Sequence, residues 1–562
     1  MKIPTGSVQL KTFVRDTIDE CKVSVRARRE ACRTWRRLYF SGQAGDEPPK
    51  YNKCFTHIER LGSYLYSAAD VRLSLDFQSD DQDVWTAKSI AGARRVNRIW
   101  NRSKSGLAFS TALRTALIDG SCFIKLIWKN GMPRPFVIRN GFFGVLREDL
   151  NDLSEQDAFV HSYYLTKSAF RRLISDLPPG EQTEIMEKVS TQFAPAGQEV
   201  IEDSYFHQIV TGGTQPLSAT AIPTGQIGQV EVFSPPQPMI SPEVRADIIR
   251  IDELWVFNDK KGDFCTFRYV DPGIMLEGRY RLRSLSDIPG KHPFIKVCPN
   301  EDIGYFWGRS ELANLFNIQG LLNRRINNVD RIFNLQASAP QAFVGFDDIT
   351  EEKKRAMLMA GGQITSSNPN AKIQSLAPEM PPIAIPYLEK IEGWFDEMAG
   401  FTPALLGQAD AGVRTSQQGN ILLRTGSPPI RERAFTVECQ VEEFANAELD
   451  MLRAKDATVL STPDGQQQFT LDQLPNDASV MVDSHSSSPA FSGDNTNMAF
   501  ALRKSGAIDN ADLLENVPFP RSDQLAAKSR KREKAQAEFI QAHPEVLLKG
   551  KPGPKPGAAR SA

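Results

Sequence analysis

Apolar residues recur at helical spacing through the first hundred residues of the chain. Residues 8–40 have the pattern of one amphipathic helix, with basic positions on its polar side. The apolar positions of this helix are Phe13, Ile18, Val25, Trp35 and Leu38. The same spacing predicts two further helices, at 52–67 and 84–100.

From residue 121 the spacing of apolar residues changes from that of helices to that of β-strands. Apolar segments at 122–128 and 136–138 flank Asn130-Gly131, a favoured two-residue turn of a β-hairpin. A second hairpin is predicted with strands at 253–257 and 264–270. The first 300 residues are therefore predicted to be α+β with antiparallel strands, in contrast to the βαβ units of a parallel sheet.

In the second half of the chain, the spacing of apolar residues predicts a helix, a small inserted unit and a returning helix. The first helix starts near Ser310, a suitable N-cap residue, and runs to about residue 336. The inserted unit spans 337–382, with strands at 342–346, 363–365 and 372–374 and a short helix at 350–360. The returning helix has Pro386 in its first position and ends at Gly400. The apolar stripe of the first helix is Leu312, Leu315, Leu322, Ile326, Val329 and Phe333.

A second long helix is predicted over 416–455, kinked where Gly426-Ser-Pro-Pro429 interrupts it. Ser427 and the two prolines fit the cap and first turn of its second part. The apolar face of that part is Ile430, Ala434, Val437, Val441, Phe444 and Leu452. Beyond it the pattern predicts strands at 458–460, 468–471 and 479–482, helices at 495–504 and 524–542, and a tail rich in Pro and Gly.

The charge of the chain is balanced overall but is segregated along it. The 67 Lys and Arg against 68 Asp and Glu give a net charge of −1, which argues against a protein that binds nucleic acid by bulk positive charge. Basic residues concentrate at 22–37, 94–104 and 521–562. For the helical stretches, two interpretations stay open: a solvated helix face, or contact with nucleic acid or a neighbouring subunit.

The motifs of catalysis and metal binding are missing from the sequence. The Gly273–Gly278 spacing of a phosphate loop is followed by Arg279 in place of lysine, and the six histidines are scattered. The seven cysteines include no CxxC pair and predict free thiols in a reducing compartment. There is neither a signal-like N-terminus nor an apolar run long enough for a membrane span. We therefore expect no enzyme active site, no cofactor, no metal and no membrane.

Four segments, in order, resemble the portal (head-to-tail connector) proteins of tailed bacteriophages, particularly those of short-tailed phages. The resemblance covers about 300–540 well, and the first 300 residues only in order and class. The segments are Gly308-Arg-Ser-Glu-Leu312 with Gln319 and Asn323, then Gly400-Phe-Thr-Pro-Ala-Leu-Leu-Gly407, then Arg414-Thr-Ser-Gln-Gln418, and the end from Phe491 through Gly506-Ala-Ile508.

The resemblance implies an α+β portal fold with a defined order of units. These are a mixed wing (1–305), a stem helix (306–336), a clip (337–383), a second stem helix (384–399), a tunnel loop (400–415), a long kinked helix (416–455), a wing return (456–505), and a helical crown with a basic tail (506–562). It also implies a ring of twelve subunits at one capsid vertex of a virion that is assembled in the host cytoplasm. Through the ring, double-stranded DNA is packaged and later ejected.

The resemblance further implies partners and site residues. The partners are the terminase large subunit, which docks on the clip and supplies the ATPase, a tail adaptor protein, and the major capsid and scaffolding proteins. Arg414 is expected to face DNA, with an inter-subunit salt bridge as the alternative. The channel-facing acids are expected to include Glu389, Glu392, Asp396 and Glu397. The clip residues expected to serve docking are Asp347, Asp348, Lys353, Lys354 and Arg355.

Two other classes of function stay open at this level. A different ring or adaptor protein of the virion would share the lack of catalytic motifs, although such proteins are usually shorter and lack the insertion between two helices. A DNA-processing enzyme such as a nuclease or an ATPase would need loops and ligands that the sequence does not show.

Overall fold

The protein is described by a computed structural model. The described residues are 1–4, 6–42, 44, 51–77, 82–175, 177–190, 194–195, 247–260, 262–270, 274–275, 287–288, 291–337, 341–344, 350, 352, 368–370, 372–375, 379–401, 428–462, 467–482, 500, 502–506, 513, 529 and 532. The predicted strand at 363–365, most of the predicted helix at 350–360, the first part of the kinked helix and nearly all of the C-terminal helix lie outside them.

Helices make up most of the described chain at both of its ends. They are α1 (Ser7–Cys21), α2 (Val25–Ser41), α3 (Lys53–Leu65), α4 (Gln82–Ser103), α5 (Ser105–Asp119), α6 (Lys167–Leu173), α7 (Pro179–Val189), α8 (Leu312–Ala337), α9 (Ala384–Met398) and α10 (Pro428–Lys455).

Strands occupy the middle of the chain and return near its end. They are β1 (Leu73–Asp76), β2 (Cys122–Lys129), β3 (Met132–Arg139), β4 (Phe143–Val145), β5 (Ala158–Thr166), β6 (Ala194–Pro195), β7 (Asp247–Asn258), β8 (Asp263–Val270), β9 (Ile274–Met275), β10 (Phe294–Val297), β11 (Gln341–Val344), β12 (Lys372–Ser375), β13 (Leu460–Ser461), β14 (Gln468–Phe469) and β15 (Ser479–Val482).

Every strand pair in the described chain is antiparallel, as the alternation of apolar residues predicted. The largest sheet has the order β4-β5-β7-β8-β9, with β6 also on β7, and a second sheet has the order β10-β2-β3. The predicted hairpin turn is present, with Asn130 and Gly131 both at positive φ. The α+β class is therefore confirmed.

The predicted single helix at 8–40 is two helices, because its halves bury against different partners. On α1, Val14 and Ile18 pack against the large sheet, in a cluster that includes Leu254. On α2, Leu38 enters a separate core made mostly of helices. A turn between α1 and α2 gives each helix its own direction.

That helical core joins distant parts of the chain. It combines α3, α4 and α5 with the first half of α8, with α9 and with α10, against β2 and β10. The predicted apolar face of α10 is buried throughout, from Ile430 to Leu452. The helix α5 was not predicted, although its buried residues Phe109, Ala112, Leu113, Ala116 and Leu117 recur at helical spacing. Strand β1 was also missed, since it pairs with β15 in the last part of the chain.

A buried ion pair joins the two larger sheets. Lys125 Nζ on β2 lies 2.5 Å from Glu253 Oε1 on β7, and Trp255 Nε1 donates to the same oxygen at 2.8 Å. Burial is the largest influence and raises the pKa of Glu253, but the charge and hydrogen bond of Lys125 together with the charges of His161 and Arg268 outweigh it, and the pKa falls to about 2. Glu253 is therefore ionised, and Lys125 is its closest compensating charge, with Arg268 3.7 Å from the other carboxylate oxygen.

Lys125→Met should destabilise the fold by about 3–5 kcal/mol, because it leaves the Glu253 carboxylate buried without its lysine. Lys129→Met, at the exposed end of the same strand, is the matched control and should stay within about 0.5 kcal/mol of wild type. Equal denaturant midpoints for the two variants would show that the buried pair contributes nothing.

Candidate functional site

The Gly308–Leu312 segment leads into the long helix α8. The backbone conformation of Gly308 and the hydrogen bonds of Ser310 fix the position where this helix begins. Gly308 has a φ of +63°, and a Cβ there would crowd Cys298 Sγ and lie 2.8 Å from the carbonyl oxygen of Asn300. Ser310 Oγ donates to Ile118 O at 2.6 Å and accepts the Leu312 N–H at 3.2 Å. The prediction that Ser310 caps this helix is confirmed, and the cap also ties the helix start to the end of α5.

Glu311, in the same segment, is the buried centre of a polar cluster. One carboxylate oxygen lies 3.3 Å from His57 Nε2 on α3. The other accepts from Asn300 Nδ2 at 2.9 Å and from Arg433 on α10 at 3.0 Å. Burial raises the pKa of Glu311, but the bond with His57 and the charge of Arg433 outweigh burial and lower the pKa to about 2.

Gln319 and Asn323 hold the next two turns of α8 to the body through backbone groups. Gln319 Nε2 donates to Tyr51 O at 2.6 Å and to Asn323 Oδ1 at 3.0 Å. Asn323 Nδ2 donates to Gly42 O at 2.8 Å. Both side chains are fully buried. The polar residues that carry the family resemblance therefore fix α8 to the residues that flank the α2–α3 connection.

Beyond Asn323 the helix α8 leaves the core. Its predicted stripe is buried at Leu312, Leu315 and Leu322, but Phe333 is 54% exposed. Within the described chain, α9 returns along α8, since Arg325 lies over the Tyr387 ring at 5.5 Å while Phe395 is buried near the body. Between the two helices, β11 pairs with β12 as an antiparallel two-stranded unit.

The helix α9 begins earlier than the sequence predicted. It starts at Ala384, so Pro386 occupies the third position rather than the first. Proline is tolerated there because the N–H groups of the first turn have no intrahelical acceptor. Gly400, at a φ of +73°, follows the last helical turn as predicted.

The four acids predicted on α9 have different surroundings. Asp396 pairs with Lys53 on α3 at 3.0 Å, and the same ammonium donates to the Glu392 carbonyl at 3.2 Å. Glu389 and Glu397 are exposed, and no ion pair with a described residue involves either of them. The prediction that these acids face a channel stays a prediction, although Asp396 is held by the body of its own chain.

The remaining predicted site residues are outside the described chain. Arg414 lies in the segment 402–427, which is not among the described residues. The docking residues predicted for the inserted unit, Asp347, Asp348, Lys353, Lys354 and Arg355, lie at 345–349 and 353–367. Their roles stay predictions.

Three bases of the stretch at 22–37 are largely buried and paired inside the protein, whereas Arg26 and Arg37 are exposed. Arg28 is 7% exposed, lies 3.2 Å over the Trp307 ring and donates to Phe143 O at 2.9 Å. Arg36 pairs with buried Asp119, and Lys22 pairs with Asp252. For these three residues, both predicted interpretations are wrong: they lie neither on a solvated helix face nor free for an outside partner, because buried groups of the same chain neutralise their charges.

The basic stretch at 94–104 differs in its surroundings. Arg95 pairs with Asp456 at 2.8 Å. Arg94, Arg98, Arg102 and Lys104 are exposed and form no ion pair with a described residue. Both interpretations of this stretch therefore remain open.

Sequence reasoning missed His57, Asn300 and Arg433, the partners of Glu311. His57 lies 254 residues from Glu311 and Arg433 lies 122 residues from it, so no local pattern links them. His57 was one of the scattered histidines, and it also packs edge-on against Phe401, with ring centroids 5.3 Å apart. The polar cluster therefore contacts Phe401, the second residue of the Gly400–Gly407 motif.

The described residues hold no group of three or more His, Cys, Asp or Glu side chains arranged to bind a metal ion. All seven cysteines are free thiols, as the sequence predicted, and Cys439 alone among them is exposed. None of the described helices combines the length and the apolar character that crossing a membrane requires.

Comparison with known proteins gives little at the level of sequence. No protein-family model matches the chain, and no curated protein matches it. Among solved structures, it is similar to a chain of the neck of a native GTA particle computed with C12 symmetry. That similarity has a TM-score of 0.38 and 9% identity, and it covers 86% of this chain and 92% of the other. A similarity of this size does not establish a common fold.

The stability of the fold should depend on the ionisation of Glu311. The folded pKa of about 2 is below the ordinary 4.5, so its stabilisation is present above pH 4.5 and is lost as the pH falls toward 2. Glu311→Gln should remove on the order of 3 kcal/mol at pH 7 and flatten the dependence of the denaturant midpoint between these pH values. Glu301→Gln, at an exposed acid close by, should leave the dependence unchanged. The same acid sensitivity in the Glu311 variant and the wild type would contradict this role.

Proposed function

We propose that this protein is a portal: a ring of twelve subunits at one capsid vertex, through which double-stranded DNA is packaged and ejected. The observation that carries the proposal is the helix pair α8 and α9, with the β11–β12 unit between them. The pair starts and ends in the core of the body, while the second half of α8 is exposed. This is the arrangement that the family resemblance implies for stem and clip.

The helix pair α8 and α9, with the residue just before α9, exposes several large apolar side chains. Large apolar side chains there have between 38% and 72% of their surface exposed. Where such exposed apolar side chains lie together in a soluble protein, they mark a contact surface. The residues concerned are Phe333, Leu335, Ile383, Ile385, Trp394 and Met398. In a ring, each subunit would cover this surface with a different surface of the next copy, which is a head-to-tail interface that closes on itself.

The charges on the helix pair support a channel through which DNA slides. Glu389 and Glu397 are exposed on α9, and each negative charge facing the duplex opposes phosphate binding. A ring that moves DNA benefits from weak, salt-screened contact, because each neutralised phosphate adds affinity. Asp396 is assigned a smaller part, since its carboxylate pairs with Lys53, whereas Lys53 contacts only the backbone carbonyl of Glu392, whose carboxylate stays a candidate. Arg414, in the following loop, is proposed as the base that contacts DNA.

The partners follow from the same proposal. The unit at 337–383, including Asp347, Asp348, Lys353, Lys354 and Arg355, would dock the terminase large subunit and the tail adaptor protein. The body would contact the major capsid and scaffolding proteins. The protein would itself carry no catalytic centre or cofactor, with the energy of packaging supplied by the terminase.

The purified full-length chain should form rings of about twelve-fold symmetry with a central hole, as seen by negative-stain electron microscopy. Phe333→Glu and Met398→Glu should shift the protein to monomers, because each places a charge on the exposed apolar surface. Light scattering after gel filtration measures the mass of each species.

Val23→Glu, at an 81% exposed position in the turn after α1, is the matched control and should keep the rings intact. Thermal melting of all three variants shows that the monomers remain folded. A wild-type protein that is monomeric or dimeric at micromolar concentration would overturn the proposal.

Removing the exposed acids of α9 should make assembled rings hold DNA more tightly. Glu389→Gln combined with Glu397→Gln removes two negative charges per subunit, and the gain in affinity for linear double-stranded DNA should vanish at high salt. Fluorescence anisotropy over a salt series measures this. Asp19→Asn with Glu20→Gln, two exposed acids on α1, is the control. An equal gain in both variants would mean that the position of the α9 acids is irrelevant.

A further inference from the structure

The helix α4 has a buried apolar side and an exposed basic side. Val96 and Trp100 on the buried side pack into the helical core. The opposite side carries Arg94, Arg98 and Arg102, and all three are exposed. Because these arginines follow each other at steps of four residues, they lie one above the other along the helix. These three arginines form the α4 basic face.

The α4 basic face has no acidic residue near it in the sequence. Residues 84–118 contain seven Lys and Arg and no Asp or Glu. The fold brings distant acids to two of the seven, since Arg95 pairs with Asp456 and Arg114 pairs with Glu59. Within the described chain, no carboxylate forms an ion pair with the three arginines of the face. Their charges are therefore left for a partner outside the described chain.

The length and chemistry of the face suit a row of phosphates. Each step of four residues rises by about 6 Å, so the three arginines span about 12 Å of the helix. A DNA duplex carries one negative charge per roughly 1.7 Å of its axis, so several phosphates can lie opposite a face of this length. The planar guanidinium group also donates paired hydrogen bonds to phosphate oxygens.

We propose that the α4 basic face binds the phosphate backbone of double-stranded DNA, independently of base sequence. The choice of DNA rests on the proposed function, whereas the face itself is read from the charges and exposure of α4. This helix belongs to the body of the subunit. The contact is therefore separate from those proposed for the helix pair and for Arg414.

A second protein fits this surface less well than DNA does. The centre of a protein interface is depleted in charged residues, and its rim is polar. The surface around α4 has the reverse order. Two exposed apolar residues, Ile90 and Leu107, flank it, whereas every exposed side chain between residues 91 and 106 is basic or an amide. These side chains are Arg94, Arg98, Asn101, Arg102 and Lys104. Side chains of all these types bind phosphate oxygens in complexes with DNA.

Removing the three charges from the full-length chain tests the proposal. Arg94→Gln with Arg98→Gln and Arg102→Gln should raise the Kd for closed circular double-stranded DNA about tenfold at low salt, because phosphate contacts are lost. The slope of log K against log salt concentration should become shallower by about 2–3. Filter binding over a salt series measures both quantities. Closed circular DNA has no end that can thread an assembled ring, so a channel does not contribute to the result.

Two further variants separate charge from position. The corresponding Arg→Lys variant at all three positions should keep most of the salt dependence, because lysine also neutralises a phosphate. The matched control, Lys11→Gln with Arg171→Gln and Lys260→Gln, removes three exposed bases that lie on separate elements. It should leave the salt slope unchanged. Thermal melting should show that all three variants remain folded, since the altered residues are exposed.

Equal Kd and equal salt slope in the glutamine variant and the wild type would overturn the inference. Loss of assembly in the glutamine variant, with DNA binding unchanged, would overturn it as well, because the face would then contact a neighbouring copy. The portal proposal is tested separately. Intact rings whose binding of circular DNA ignores the three arginines would contradict only the basic face, and binding that depends on them in a protein without rings would contradict only the portal.

Discussion

The buried carboxylate of Glu311 is the contact on which the arrangement of this chain depends. It bonds to His57 from the first part of the chain and to Arg433 from the last. A buried negative charge is costly unless it is compensated, so the elements that carry its partners are held at fixed positions. The helix α8 starts from this point, and its direction out of the body is set by that cluster together with the Ser310 cap and the amides of Gln319 and Asn323.

The helix α8 serves as core in its first half and as surface in its second. Its apolar stripe continues past the last contact with the body, so Phe333 and Leu335 are exposed side chains that the same pattern would place in a core. In the proposed ring, neighbouring copies would complete the burial that a single chain cannot. The same physical requirement, the removal of apolar surface from water, would then act within the subunit and between subunits.

Basic residues have two distinct uses in this protein. Arg28, Arg36 and Lys22 are neutralised inside the body by backbone oxygens, an aromatic ring and buried carboxylates. Arginine suits such sites because its planar group both donates several hydrogen bonds and stacks on rings. The exposed bases of α4 are a separate population. A count of charges along the sequence does not distinguish the two.

Local patterns in the sequence predicted the class of the fold and most of its elements. Periodicity predicted α8, α9 and α10, the two larger hairpins and the antiparallel pairing, because each depends on residues close together in the chain. The segment Gly308–Leu312 was singled out, and the structure gives Gly308, Ser310 and Glu311 separate tasks at the start of α8.

The packing of distant elements determines which charges are buried, where α8 leaves the core, and which side chains pair with Glu311. The pairing of β1 with β15 and the partners of Glu311 join residues far apart in sequence, and the break between α1 and α2 is set by the distant elements that each helix packs against. Their physical reason is the same. Burial and the satisfaction of polar groups depend on what packs against a residue, and a local pattern does not contain that information.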